Sequence, residues 1–184
     1  LAPPLPVAQM RARGELAELR AGELQFTGEE AAELLNGSMG LALAAEDVAR
    51  LAERTEGWAV GLVLAGLSLR GRPDSTGFIT AFSGGDRHVA DYLVAEVLER
   101  LPEELRGFLL RTSVLERLSG PLCDAVLETQ GSAELLRELE ASNLFVVPLD
   151  ERRQWYRYHQ LFADLLRLQL GAREPALVPA LHRR

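Results

Sequence analysis

Trp155-Tyr156-Arg157-Tyr158-His159-Gln160-Leu161-Phe162 contains no turn residue, yet within it alternating aromatics give way to helical spacing. Such a stretch predicts a strand running directly into an amphipathic helix, with His159 at the junction. A strand-to-helix junction leaves the first N–H groups of the helix without intrahelical partners, so a neighbouring side chain can share an anion with them. Histidine suits that position because its ordinary pKa of about 6.5 lets it donate to a phosphate in either charge state. The competing reading is a histidine satisfied by a backbone carbonyl at the end of a hairpin.

Working outward, residues 144–149 and 154–159 read as two strands joined by Asp150-Glu151-Arg152-Arg153. Upstream, residues 86–101 place Val89, Leu93, Val97 and Leu101 four apart, with Asp91, Glu96, Glu99 and Arg100 on the outer side. Pro102 starts a helix to Thr112, followed by a brief extended piece at Ser113-Val114-Leu115. Ser119-Gly120-Pro121 caps a helix ending near Glu128, and Ser132 caps another over 133–141. Helix, short strand, helix, helix, strand, strand is the order of a winged helix. Residues 133–141 hold three acids against one arginine, so a DNA backbone would repel this third helix. Asp150 and Glu151 likewise adjoin the basic wing residues Arg152, Arg153 and Arg157.

The first half reads as a helical bundle. Phe26-Thr27-Gly28-Glu29-Glu30 is a capping box, with Phe26 placed to staple the helix that runs to about Asn36. A second helix spans about 45–55, with Val48 and Leu51 inward, and closes at Gly57. Residues 58–67 are apolar nearly all round, which predicts a buried central helix, and Gly61 and Gly66 in it imply close packing of a neighbour. Residues 71–76 read as a loop, and a short helix to Phe82 ends at the Ser83-Gly84-Gly85 break. The prolines of Leu1-Ala2-Pro3-Pro4-Leu5-Pro6, and a start without methionine, read as a linker in a piece of something longer. A helix from Val7 to Arg13 stops at Gly14, and residues 15–20 alternate like a strand with no neighbour to pair with.

Composition bounds the function. The chain has 184 residues, 47% of them hydrophobic, with a net charge of −7 and a sequence pI near 5.1, so nucleic acid exerts no global pull. All 20 basic residues are arginine, and without lysine there is no Walker A motif in this chain. Cys123 is the only cysteine, and His88, His159 and His182 lack metal-ligand spacing. No apolar run has membrane-spanning length, and a cytoplasmic protein is the default.

These residues also carry a resemblance over nearly the whole chain. Phe26-Thr27-Gly28-Glu29-Glu30-Ala31, Thr55-Glu56-Gly57-Trp58, residues 62–70, Ala81-Phe82-Ser83-Gly84, Asp91-Tyr92-Leu93, residues 108–115 and residues 156–166 resemble the MalT-like branch of LuxR-type transcriptional activators. That branch belongs to the signal-transducing STAND ATPases. The resemblance implies a mainly α fold, a helical lid followed by a winged-helix domain with a two-stranded wing. It divides the chain into a linker and orphan strand from a P-loop domain (1–25), a lid (26–85), a winged helix (86–171) and the start of a helical-repeat region (172–184).

The implied function is a nucleotide-state switch between an ADP-bound closed form and an ATP-bound self-associating form, in a slow signalling ATPase that uses ATP or ADP with magnesium. This segment would itself be no enzyme, hold no cofactor alone, and touch neither DNA nor membrane. Its partners would be an upstream P-loop domain and a downstream helical-repeat sensor, with DNA binding in a C-terminal helix-turn-helix. By motif His159 is the histidine that touches the ADP phosphate, although Tyr158 and Gln160 replace the flanks of the Met-His-Asp motif of related immune receptors. Gly57 and Trp58 sit where relatives carry a Gly-x-Pro turn against adenine, without the proline; core packing is the competing role for Trp58. The alternatives in other classes are an interaction scaffold without nucleotide, or a DNA-binding winged helix.

Overall fold

A computed structural model describes residues 6–17, 19 and 21–184. Helix α1 (Val7–Ala12) ends at Gly14, whose φ of 68° only glycine adopts freely. Residues 15–17 and 19 form no strand, while Glu18, Arg20 and the opening residues 1–5 lie outside the described residues. A strand needs a partner for its N–H and C=O groups, and none is offered to this segment among the described residues.

The first-half helical bundle, called the lid below, begins where the capping box predicts. Thr27 Oγ1 accepts from Glu30 N at 3.2 Å and Glu30 Oε2 accepts from Thr27 N at 2.8 Å, starting α2 (Gly28–Ala32). This helix widens into a π turn over Glu33–Ser38, beyond the expected end at Asn36. Asn36 instead ties down the next loop, its Nδ2 donating to Leu43 O at 3.0 Å and its Oδ1 accepting from Leu43 N at 2.7 Å. Helix α3 (Ala45–Arg54) buries Val48 and Leu51, and α4 (Ala59–Leu69) crosses the middle of the bundle. Both α4 glycines are approached closely: a Cβ on Gly61 would stand 2.7 Å from Trp58 Cε3, and one on Gly66 2.6 Å from Met39 Sδ. Val63 and Leu67 are exposed, so α4 is not covered on every side. Helix α5 (Ser75–Ala81) is capped by Asp74, whose carboxylate accepts from Gly77 N at 2.8 Å.

The second half is a winged helix. The expected helix over 86–101 is broken: α6 (Arg87–Glu96) ends before Val97, and a 3-10 turn over Leu98–Arg100 buries Leu98 fully while Val97 and Leu101 pack half-buried against the core. Helix α7 (Glu103–Thr112) follows Pro102. The extended element falls at Leu118 rather than 113–115, since Leu118 alone exchanges backbone bonds with Tyr156, both at 2.8 Å. Ser119 caps α8 (Gly120–Leu127). Ser132 does not cap α9 (Ser132–Ala141); Gly131 takes the cap position, and Asp124 Oδ1 accepts from Ser132 N at 3.0 Å.

Strands β1 (Val146–Pro148) and β2 (Tyr156–Tyr158) pair antiparallel, Val146 opposite Tyr158 and Pro148 opposite Tyr156. Period two puts Tyr156 and Tyr158 inward and Arg157 outward. Helix α10 (Gln160–Arg173) leaves β2 after one residue, and α11 (Val178–Leu181) completes the chain's helices. The two halves share one hydrophobic core. It runs from Ala31 in α2 to Leu181, with α4 on α6 and α6 on α10 at the seam. Gly84 makes that seam possible, since a Cβ there would collide with the Leu161 carbonyl and stand 2.9 Å from Leu165 N, both backbone.

Candidate functional site

The site forms where a lid corner meets the β2–α10 junction. Helix α3 ends at Thr55, and Glu56 (φ 50°) and Gly57 (φ 69°) then turn the chain through two successive left-handed residues. Trp58 N returns to Thr55 O at 2.8 Å and starts α4. Glycine tolerates this conformation, whereas a side-chain residue such as Glu56 pays about 1 kcal/mol for it. Gly57 also packs tightly. Its carbonyl accepts from Phe26 N at 2.8 Å, and a Cβ on it would stand 2.7 Å from Phe26 O.

Across the seam, His159 is the N-cap residue of α10 but does not cap it with its side chain. Its backbone N donates to Phe145 O at 2.8 Å, and its ring enters the lid, where Nε2 bonds Thr55 O at 2.9 Å. Thr55 O therefore accepts from both Trp58 N and His159. The ring meets Trp58 edge-to-face at 5.9 Å between centroids and Phe145 at 5.7 Å. His159 is 7% exposed, and its Nδ1 is buried with no partner. Burial lowers its pKa below the ordinary value, against a smaller opposing pull from the Glu56 carboxylate and the Thr55 carbonyl. The ring is thus neutral at neutral pH. With Nε2–H given to Thr55, Nδ1 is a bare acceptor.

The α10 cap comes from the lid instead. Glu56 Oε1 accepts from Gln160 N at 2.8 Å and from Arg157 Nη1 at 2.7 Å, and Oε2 accepts from Arg157 Nη2 at 2.8 Å. Burial pushes the Glu56 carboxyl up, but the Arg157 guanidinium fork with its charge and the Gln160 amide outweigh it and hold the pKa below its usual value. The same carboxylate raises the Arg157 pKa. A cavity of about 450 Å³ opens beside the pair, lined by Glu56, Glu116, Arg157, Gln160 and Arg167 among others.

The structure thus brings together the three residues singled out in sequence, His159, Gly57 and Trp58. Only His159 keeps an unspent buried polar atom; the ring of Trp58 lies among Tyr92, Phe145 and His159. Nε2 is satisfied by a backbone carbonyl, as in the competing reading, although that carbonyl belongs to Thr55 rather than to the hairpin, and Nδ1 is buried without a partner. Glu56 and Arg157 were not legible as a pair. Opposite charges in the two motifs were the only signal, and 101 residues separate them.

Two other polar groupings serve structure. Ser68 Oγ donates to Asp86 Oδ1 at 2.7 Å and lies 3.1 Å from His88 Nδ1, but Asp86 also accepts from His88 N at 3.2 Å as the cap of α6. The hydroxyl proton is committed to the carboxylate, so this is no nucleophilic triad. On the wing and third helix, Arg153 pairs with Glu140 at 3.2 Å and Arg137 with Glu134 at 3.8 Å, so each of these arginines has a carboxylate beside it. Among the described residues, no helix is long and apolar enough to cross a membrane.

Residues 94–178 match the MalT winged helix domain. Over 180 residues, 98% of the chain, it is 41% identical to the serine/threonine-protein kinase PknK of Mycobacterium tuberculosis, covering 16% of that protein. It is 34% identical to the HTH-type transcriptional regulator MalT of Serratia proteamaculans and 35% to that of Yersinia enterocolitica, again over 98% of the chain and 20% of each relative. The chain therefore spans a fifth or less of the length of these relatives. Residues 94–178 are thus similar to the MalT winged helix domain, and the chain around them is a MalT-like segment.

Proposed function

We propose that this chain is the lid and winged-helix piece of an inducer-responsive transcriptional regulator, and that it holds its two halves differently in the diphosphate and triphosphate states of that protein. The observation carrying this reading is the single imidazole that joins winged helix to lid with one ring nitrogen unspent. Distribution supports it as well. The same segment occurs nearly end to end in proteins named as transcriptional regulators and in one named as a protein kinase. Those outputs share control rather than chemistry, which fits a switching module better than DNA contact or phosphoryl transfer.

In this reading a P-loop domain elsewhere in a cytoplasmic full-length protein holds ATP or ADP with magnesium and hydrolyses it slowly, a helical-repeat sensor follows, and the active form self-associates. The nucleotide supplies a multiply charged phosphate chain. His159 fits it through its orphaned Nδ1. Gly57 contributes the turn that presents Thr55 O, and Trp58 contributes a ring that holds the imidazole. While neutral, His159 can only accept at Nδ1, so donation to a phosphate oxygen requires a second ring proton. Negative charge nearby favours that proton against the desolvation that opposes it. Holding a diphosphate and taking up a proton are then linked, and the ligand acts by its differential affinity for two arrangements.

The test uses the full-length protein. His159→Ala should lose bound ADP on gel filtration and raise transcription without inducer. Unchanged ADP retention together with unchanged inducer dependence would refute the reading. One observation favours a scaffold without nucleotide: Glu56 already fills the anion position at the start of α10.

A further inference from the structure

We propose that Glu56 is the positioning residue of this junction, a latch whose carboxylate fastens the lid to the winged helix and sets where the His159 ring stands. That it orders His159 for a ligand rests on the function proposed above; that it fastens the two halves does not.

Three features single Glu56 out. Its side chain hydrogen-bonds across the seam to two partners, taking both terminal nitrogens of Arg157 and the first amide of α10. The guanidinium contact is bidentate, the geometry that gives charge-assisted bonds their strength and direction. The pair is also shielded, with side-chain exposures of 16% for Glu56 and 35% for Arg157, so solvent screens it less than a surface pair.

Chain geometry explains why these partners meet. On β2, Arg157 lies between two inward tyrosines, so the pleat directs it away from the winged-helix core and onto the lid. Helix α10 has 14 residues, its N-cap histidine gives it no side-chain cap, and its first amide finds its acceptor in Glu56. A carboxylate at a helix N-terminus also opposes the positive end of the helix dipole. His159 lies between Arg157 and Gln160 in sequence and bonds Thr55, the residue before Glu56. The Glu56 bonds to Arg157 and Gln160 thus bracket the imidazole on both sides in sequence.

The Gln160 amide reports the latch directly, because an amide in the first turn of a helix has no intrahelical acceptor. The experiment measures hydrogen exchange in the full chain without nucleotide, for the wild type, Glu56→Ala, Glu56→Gln, Arg157→Lys, Arg157→Gln and the double variant Glu56→Gln/Arg157→Gln. Exchange at Gln160 should quicken about tenfold or more in Glu56→Ala, the loss expected when a charge-assisted bond disappears. Glu56→Gln keeps an acceptor oxygen and Arg157→Lys keeps a charge without the fork, so both should fall between. The double variant should lose less than the sum of its single changes. Amides inside α7 should be unaffected in every variant, which separates unlatching from unfolding.

Wild-type protection of Gln160 in Glu56→Ala, or additive single changes, would overturn the latch. The outcomes stay separable. Faster exchange in the Glu56 series with normal ADP retention in His159→Ala leaves the latch and removes the nucleotide role, and the reverse pair of results does the opposite.

Discussion

The bond between Tyr158 and Thr112 should show a lopsided response to removing either partner. Thr112 Oγ1 lies 2.7 Å from Phe108 O and 2.7 Å from Tyr158 Oη, and both residues are buried. The threonine proton goes to the Phe108 carbonyl, which can only accept, so the tyrosine hydroxyl donates to Thr112. Tyr158→Phe removes that donor and leaves Thr112 with its own bond intact, at a cost of about 1 kcal/mol. Thr112→Val replaces the acceptor by a methyl of similar shape and strands a buried O–H, at a cost of about 2 to 3 kcal/mol. The double variant strands nothing and should be more stable than Thr112→Val alone.

Urea unfolding followed by tryptophan fluorescence would measure the series, Trp58 standing at the seam and Trp155 on the wing. In a chain of this size each kcal/mol corresponds to about 2 to 4 °C in Tm. A Tyr158→Phe cost equal to or above that of Thr112→Val, or a double variant no better than Thr112→Val, would refute the donor assignment. The bond matters for the site because it anchors the inner face of β2, from whose outer face Arg157 reaches Glu56.

Other expectations follow from the same geometry. Gly84→Ala should destabilise by about 1 to 3 kcal/mol, because its Cβ meets α10 backbone, whereas Gly66→Ala meets side chains alone, the flexible end of Met39 and, at 3.3 Å, Leu35 Cδ2, and gains helix propensity, so its net effect should be under about 1 kcal/mol in thermal unfolding. Burial lowers the His159 pKa, so as pH falls from about 6.5 toward that lowered value the unfolded chain takes the proton first and stability declines; His159→Gln should flatten this part of a stability-against-pH profile. Cys123 is buried and its thiol is pushed up to about 12, so iodoacetamide should leave it untouched in the native chain at neutral pH and alkylate it once urea unfolds the protein.

Much of the fold was legible in local signals because local physics sets them. Thr27 and Glu30 close a capping box within one turn, Pro102 cannot continue a helix, and the alternation from Tyr156 to Tyr158 has one inward face whatever surrounds it. The misreadings arose where a distant partner decided. Val97 continues a four-residue repeat on paper, but the packing that buries Leu98 breaks the helix there. Ser132 is a good cap by type, yet Asp124 was nearer the amide that needed one. The strand expected over 15–20 has the right alternation, but among the described residues no neighbouring strand pairs with residues 15–17 and 19.

The candidate site divides the same way. Sequence alone determined that a histidine stands between a strand and a helix, that a glycine turn follows α3, and that the chain lacks lysine for a phosphate loop of its own. Only the tertiary structure decided that these two places touch, that the Thr55 carbonyl takes one imidazole nitrogen while the other stays free, and that Glu56 caps a helix 104 residues away. Capping, periodicity and turns depend on neighbours a few bonds apart, which any single chain displays. A bridge between remote segments depends on how the intervening core packs, and one sequence does not write that down.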